Sequence, residues 1–325
     1  MRTFFMLLTI AAVCVCCESS GKRDTSFLSD SVGNINSLQV VADNDLWNGA
    51  VGEEIRTHFA AVVDGLPQEE PLFSMNQMAP AIFTDFARSN RTFMKVELAD
   101  RDTVMIKKDV YAKPQTGVFI SGTSEEKLIE IIRENQDRII RAFKSTELKE
   151  KQRRIRISLL KIDSLKERFG LSLDVSSAYR VAVASDDFYW IRKELKSSGS
   201  TNIIVYQVPI DYIRNDSTAI GDIIRMRDSI GSALLPVEDD GLFVTEAAYA
   251  PLLFASKIDG KYAYQTKGTW EVKDQYMAGP FLNYAIRDEA NERYLIIEGF
   301  TYAPSMEKRN LQFELEAVIR SAKID

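Results

Sequence analysis

Glu69 and Glu70 stand between Pro67 and Pro71, and two prolines stiffen the segment that carries them. A pair of carboxylates is the minimum equipment for hydrolysing a glycoside, one as proton donor and one as base or nucleophile. Adjacent residues of an extended segment point to opposite sides, so Glu69 and Glu70 need a distant third acid to do this work. The only histidine, His58, falls one helical turn after Glu54. Beside that glutamate it could serve as a lone acid or base, but a single histidine excludes two-histidine metal motifs, and its position suits the boundary of an amphipathic helix. Asp43, Asp45 and Asn48 have the look of an opening calcium loop. Trp47 occupies the place of the next oxygen ligand and no bidentate glutamate follows at the right distance, so helix capping is the better reading. Glu238, Asp239, Asp240 and Gly241 read as a solvated acidic turn.

Lys149, Lys151, Arg153, Arg154 and Arg156 form the one dense basic run. It reads as a solvated helix face paired locally with Glu147 and Glu150, with acidic lipid headgroups or an acidic partner as the functional alternative. Phe188-Tyr189-Trp190, and again Tyr262, Tyr264 and Trp270, concentrate aromatic rings on strands. Core packing is the first expectation for them, and an exposed ring for stacking a sugar is the second. No nucleophile elbow, phosphate-binding glycine loop or metal motif accompanies these groups. The expectation is therefore no catalytic residue, no cofactor and no metal: a non-enzymatic binding or interaction module, against the alternative of a carboxylate-dependent hydrolase acting on envelope or dietary glycan.

The elements that would position these residues alternate between the two periodicities. Leu38, Val40 and Val41 predict a strand, and Leu46, Ala50, Ile55, Phe59 and Val62 a helix ending at Asp64-Gly65. Strands follow at 92–98, 104–111 and 116–120. Ser124 opens the longest helical region, with Leu128, Ile131, Ile132, Ile139, Ile140 and Phe143 on one face. Ser145-Thr146 is expected to break it, and a second segment through Ile155, Leu159, Ile162, Leu165 and Phe169 should end on Gly170. Beyond it come strands at 179–184, 188–191 and 203–208, a helix over 219–235, a hairpin at Asp259-Gly260, a strand over 294–300 and a last helix over 306–324. The fold class is α+β: two sheet-and-helix halves, 34–170 and 171–325, joined by a long central helical region, with a repeated order that hints at an ancient duplication.

Phe4 to Cys17 runs apolar after the single basic Arg2 and holds all three cysteines. It is too short for a permanent span, which takes about 20 apolar residues, but it suits the core of a secretory signal. A signal whose apolar core closes on cysteine resembles that of bacterial lipoproteins, in which the cysteine becomes the acylated first residue. Cys17 is the expected position, since small Cys16 precedes it and Glu18 and Ser19 follow, whereas Cys14 and Cys16 each follow a valine. Residues 1–17 are then the signal and 18–33 a flexible tether. Cleavage leaves about 308 residues, a two-domain length, without a thiol for catalysis, metal binding or disulfides. It also moves the formal charge from −6 to −7 by removing Arg2. An acidic exported body argues against nucleic acid as a partner. A membrane held through the lipid, and an unknown protein or glycan, remain.

The runs ADNDLWNGAVGEEIR from Ala42, GLPQEEPLFSM from Gly65, MAGPF from Met277 and EGFTYAPSMEKR from Glu298 together resemble a family of exported Bacteroidetes envelope lipoproteins catalogued as a domain of unknown function. The resemblance spans nearly the whole mature chain. It implies an envelope lipoprotein and carries over no catalytic or binding residue. With no Lys-Asp-Asp-like cluster after the cysteine, a periplasm-facing anchor is the expected topology. An aspartate, a hydroxyl residue and then an apolar residue or threonine resembles the O-glycosylation signal of such exported proteins. Ser31, Thr103 and Ser217 are its accessible candidates, while Ser164 and Ser229 fall in helices.

Overall fold

The computed structural model describes residues 27–196, 198–237 and 241–325. Cys17 and the whole of its apolar stretch lie outside them, as do Glu238, Asp239 and Asp240. The fold is α+β, with two large sheets that differ in kind.

The first sheet has five strands in the order Ser74–Met78, Ser37–Val41, Thr92–Leu98, Thr116–Gly122 and Thr103–Lys108, parallel except for the last pair. Two helices follow the strand at Ser37–Val41, α1 (Asn44–Asn48) and α2 (Ala50–Phe59), where the sequence predicted one. The chain is extended at Gly49, which separates them, and Asp43 stands at the N-cap of α1 without a side-chain bond. Leu38, Val40 and Ala42 turn toward Val51, Ile55 and Phe59 of α2 and Leu128, Ile132, Ile139 and Phe143 of the next helix. Val41 and Phe93 turn the other way, against Phe83 and Tyr111.

The central helix α3 (Glu125–Ile155) is 31 residues long, about 46 Å at 1.5 Å per residue. Ser124 caps it by accepting from the Lys127 backbone N–H at 3.3 Å. The break expected at Ser145-Thr146 does not occur. The buried Thr146 hydroxyl bonds back to the Ala142 carbonyl at 3.2 Å and across to Thr116 Oγ1 at 2.5 Å, so it finds partners without unwinding the helix. α3 ends instead at Ile155, and a separate short helix, α4 (Asp163–Phe169), closes on Gly170 in the left-handed conformation that the sequence predicted. Ile155, Leu165 and Phe169 pack into the core of the second sheet.

That sheet has eight strands, all antiparallel. Its path runs Phe243–Thr245, Lys261–Val272, Ala278–Asp288, Arg293–Tyr302, Ser200–Pro209, Phe188–Glu194 and Arg180–Ala184, with Leu252–Ile258 forming the Asp259-Gly260 hairpin on Lys261–Val272. Helix α5 (Ala219–Leu234) covers one face and α6 (Arg309–Ile319), with α4, the other. Because both faces are covered, Phe188, Tyr189 and Trp190 are all buried: Phe188 and Trp190 toward α5, and Tyr189 toward α4, where its hydroxyl meets Ser164. A largely parallel sheet and an antiparallel one do not repeat a single topology.

The segment expected as a free tether is partly built into the body. Ser29–Asp30 pairs in parallel with Ala112–Lys113, and Val32 donates to the Ser89 carbonyl at 2.9 Å.

Candidate functional site

Most of the residues singled out for chemistry serve the architecture. Glu70 is buried and caps α6 from the other half of the chain: its two carboxylate oxygens accept the backbone N–H groups of Lys308 at 2.7 Å and Arg309 at 2.8 Å. Those are orphan donors of a helix N-terminus, where a negative charge is also favoured by the helix dipole. Glu69 is exposed, as its opposite direction in an extended segment requires. His58 Nε2 lies 2.8 Å from Glu54 Oε1, and Glu54 also takes both arms of Arg133 at 2.9 Å, which ties α2 to α3. The Arg133 contact opposes burial and holds the Glu54 carboxyl below the usual range. Asp43, Asp45 and Asn48 assemble no site, and among the described residues no three His, Cys, Asp or Glu side chains converge to hold a metal ion.

Four of the five cations in the basic run, all but Lys149, are engaged with acids, though not all as expected. Arg153 and Arg154 pair with Glu150, Arg156 with Asp174, and Lys151 with Glu314 on α6. Glu147, expected to pair within the run, instead turns inward to a buried two-armed bond with Arg91 at 2.9 and 3.1 Å. Its face of α3 is the covered one.

Of the modification candidates, Ser217 is exposed and donates to Asn215 Oδ1 at 2.5 Å, while Thr218 takes the N-cap position of α5. Thr103 is half-buried against Ser121 Oγ at 2.8 Å. The Ser31 hydroxyl is buried. Among the aromatic residues, Tyr264 and Trp270 are buried, and Tyr262 keeps 39% of its surface beside a shallow hollow formed with Lys261, Arg287 and Glu289.

The arrangement with the most chemical potential is one that spacing did not predict. α3 and α6 face each other across the junction of the two halves and enclose a cleft of about 480 Å³. On α3, Arg141, Lys144, Ser145 and Leu148 recur at helical spacing along the wall; on α6, Arg309, Gln312, Phe313 and Glu316 do the same, followed by Arg320 at its C-cap. The segment from Val63 to Leu66 with Leu72 forms the rim, and Lys267, Phe281 and Leu282 of the second sheet form the floor. Three of the runs quoted from the sequence, those from Gly65, Met277 and Glu298, therefore meet here.

Five cations line the cleft against two carboxylates, Asp64 and Glu316, on a chain whose net charge is −6. Glu316 is already engaged with Arg320 at 2.7 Å. Although burial raises its pKa, Arg320 and the more distant Lys267 and Lys144 hold it below the ordinary value. Arg309 is satisfied by the Pro71 carbonyl at 2.6 Å and Ser74 Oγ at 3.1 Å. Lys144 sits between the rings of Phe73 and Phe313, its ammonium 4.9 and 5.1 Å from their centroids, and donates to Asn36 Oδ1 at 3.1 Å. Burial pushes its pKa down to about 8, with Glu316 opposing and Arg309 and Lys267 reinforcing. Among the described residues neither Lys144, Lys267 nor Arg141 makes an ion pair, and the Arg141 guanidinium makes no hydrogen bond. The sequence held one sign of this: Lys144 interrupts the apolar face that Ile139, Ile140 and Phe143 define.

Comparison with known proteins gives two family matches. The model described as domain of unknown function DUF4837 matches residues 158–321, and that described as domain of unknown function DUF8532 matches residues 31–156, so the two meet at the end of α3. No curated protein matches. Among solved structures, LpqN of Mycobacterium tuberculosis, described as involved in cell envelope biogenesis, aligns at 11% identity over 47% of this chain and 82% of its own, with a TM-score of 0.29. A protein from Bacteroides thetaiotaomicron VPI-5482 aligns at 14% identity over 48% of this chain and 45% of its own, with a TM-score of 0.20. Scores this low carry no argument about fold or function.

Proposed function

We propose that this chain, which belongs to the DUF4837 family, is a lipid-tethered binding module of the cell envelope whose ligand site is the cleft between its two halves. The observation that carries the reading is the set of unpaired cations at Arg141, Lys144 and Lys267, brought together in a cleft of about 480 Å³ from both halves. Small-molecule sites are typically clefts of about 300–1,000 Å³ with a few convergent polar groups. A half-buried lysine with no ion pair of its own, while Glu316 is engaged by Arg320, is costly to maintain unless something anionic meets it. Binding is favoured over glycan hydrolysis because Glu70 is committed to capping α6 and is therefore lost to the carboxylate pair that hydrolysis needs.

The envelope placement rests on the sequence. The apolar stretch to Cys17 supports export and acylation there, with the body facing the periplasm. Cys17→Ser is expected to move the protein out of the membrane fraction and to leave the longer, uncleaved form, while Cys14→Ser and Cys16→Ser change neither; a triple serine variant still held in the membrane would remove the anchor from the proposal. The binding reading is tested by extracting small molecules from the native protein and from Ser145→Trp, which places an indole in the cleft from an exposed position of α3. An anionic molecule should accompany the native chain and be absent from the variant. Identical extracts would argue against the cleft.

A further inference from the structure

The polar groups of the cleft are not spread evenly through it. Cations with unused donors gather at Lys144, Arg141 and Lys267, while Leu66, Leu72, Leu148, Phe281, Leu282 and Phe313 supply an apolar lining to the same space. A lysine ammonium has three donors. Two of the Lys144 donors are taken, by Asn36 Oδ1 at 3.1 Å and, weakly, by the Leu72 carbonyl at 3.4 Å, which leaves one for a ligand. The aromatic rings on either side of that ammonium exclude water from its flanks and fix its position. Lys267 leans over the ring of Phe254, with its Nζ 5.6 Å from the centroid and no acid paired to it. A small inorganic anion would answer the cations and leave the apolar lining wet. A neutral hydrocarbon would do the reverse.

Resting on the cleft reading above, we infer that the ligand is an amphiphilic acid: a phosphate monoester or carboxylate head held by Lys144, Arg141 and Lys267, with an aliphatic portion against Leu72, Leu148 and Phe313. Charge-assisted hydrogen bonds are the strong ones, and those of a phosphate to a lysine and a guanidinium orient the head. Binding would also bring the half-buried ammonium an ion pair of its own, since Glu316, the carboxylate that acts on it most, is engaged by Arg320. A lipid headgroup and a free acylated metabolite present the same chemistry, and they differ only in where they are held.

The test uses the full chain in nanodiscs of neutral lipid, titrated calorimetrically with octyl phosphate, inorganic phosphate, octanol and octyltrimethylammonium. Octyl phosphate should bind saturably and at least about tenfold more tightly than the other three, from the strength of a charge-assisted contact in a desolvated site. Lys144→Met should weaken it by about tenfold or more, and Ser145→Trp should abolish it. Loading the phosphate on the lipid of the disc instead of adding it free separates the two sources: loss of octyl phosphate binding in the loaded disc, where the lipid phosphate already fills the cleft, assigns a membrane lipid, and unchanged binding there a free metabolite. Equal binding of octanol would overturn the acidic head, and equal binding of inorganic phosphate the apolar portion, with the cleft still standing as a site in either case. Absence of binding by all four probes, with Ser145→Trp indistinguishable from the native chain, would overturn both this inference and the cleft reading.

Discussion

Lys144→Met isolates the electrostatic cost of the cleft. Burial holds the folded-state pKa of Lys144 at about 8, against 10.5 for an unperturbed lysine. Between those values the unfolded chain binds more protons at this position than the folded one, so stability rises with pH across the window, and the full cost is present below pH 8. For a single group with these two pKa values, the linkage relation makes the native chain about 2 kcal/mol more stable at pH 9.5 than at pH 7 from Lys144 alone. The methionine variant keeps the aliphatic stem and loses the titration. Its absolute stability is a poor gauge, because removing the ammonium also leaves Asn36 Oδ1 without that donor inside a buried site. The difference in pH dependence is informative, because Glu316, the carboxylate whose pKa Lys144 helps to lower, stays ionised at both pH values. Urea unfolding of native and variant chains at both pH values should show their stability difference shifting by about 2 kcal/mol in favour of the native chain at the higher pH. A shift near zero would mean that Lys144 is hydrated in the folded protein and that the cleft does not desolvate it.

Glu70→Gln leaves the α6 N-terminus with one capping oxygen in place of a carboxylate, and should lower stability by about 1–3 kcal/mol. Glu69→Gln at the neighbouring exposed position should stay within about 0.5 kcal/mol by the same urea measurement. Glu147→Leu strands the buried guanidinium of Arg91 and should cost about 3–5 kcal/mol, whereas adding Arg91→Met should recover much of the loss; a double variant no more stable than the single would contradict the buried-pair argument. A glycan on Ser217, Thr103 or Ser31 should appear as added hexose-type mass on the native protein, and the exposed Ser217 makes Ser217→Ala the variant expected to lose it. Unchanged intact mass across the native chain and all three alanine variants, equal to the unmodified polypeptide, would rule the modification out.

Local signals read correctly wherever a short stretch decides its own conformation. The strand at Thr92–Leu98, the Ser124 cap, the Gly170 stop, the Asp259-Gly260 hairpin and the helix opening at Ala219 each depend on residues within a few positions of one another. Ser145-Thr146 misled for a physical reason: a hydroxyl that competes with helix in an isolated segment found a buried partner on a strand 30 residues away. Distance in sequence also hid the roles of the charged residues. Glu70 meets its partners 238 and 239 positions later, and Glu147 is drawn to Arg91, 56 positions earlier, rather than to its cationic neighbours. Periodicity reports which face of an element is apolar, but not what that face meets. The sequence by itself determined the α+β composition and the placement of most elements. Only the tertiary structure decided that α3 and α6 would face each other, because that depends on the cores of two sheets, far apart in sequence, sharing one helix between them. It is their meeting that gathers Arg141, Lys144 and Lys267, three unremarkable cations in the chain, into one cleft where, among the described residues, none of them has an ion pair and Glu316 is engaged by Arg320.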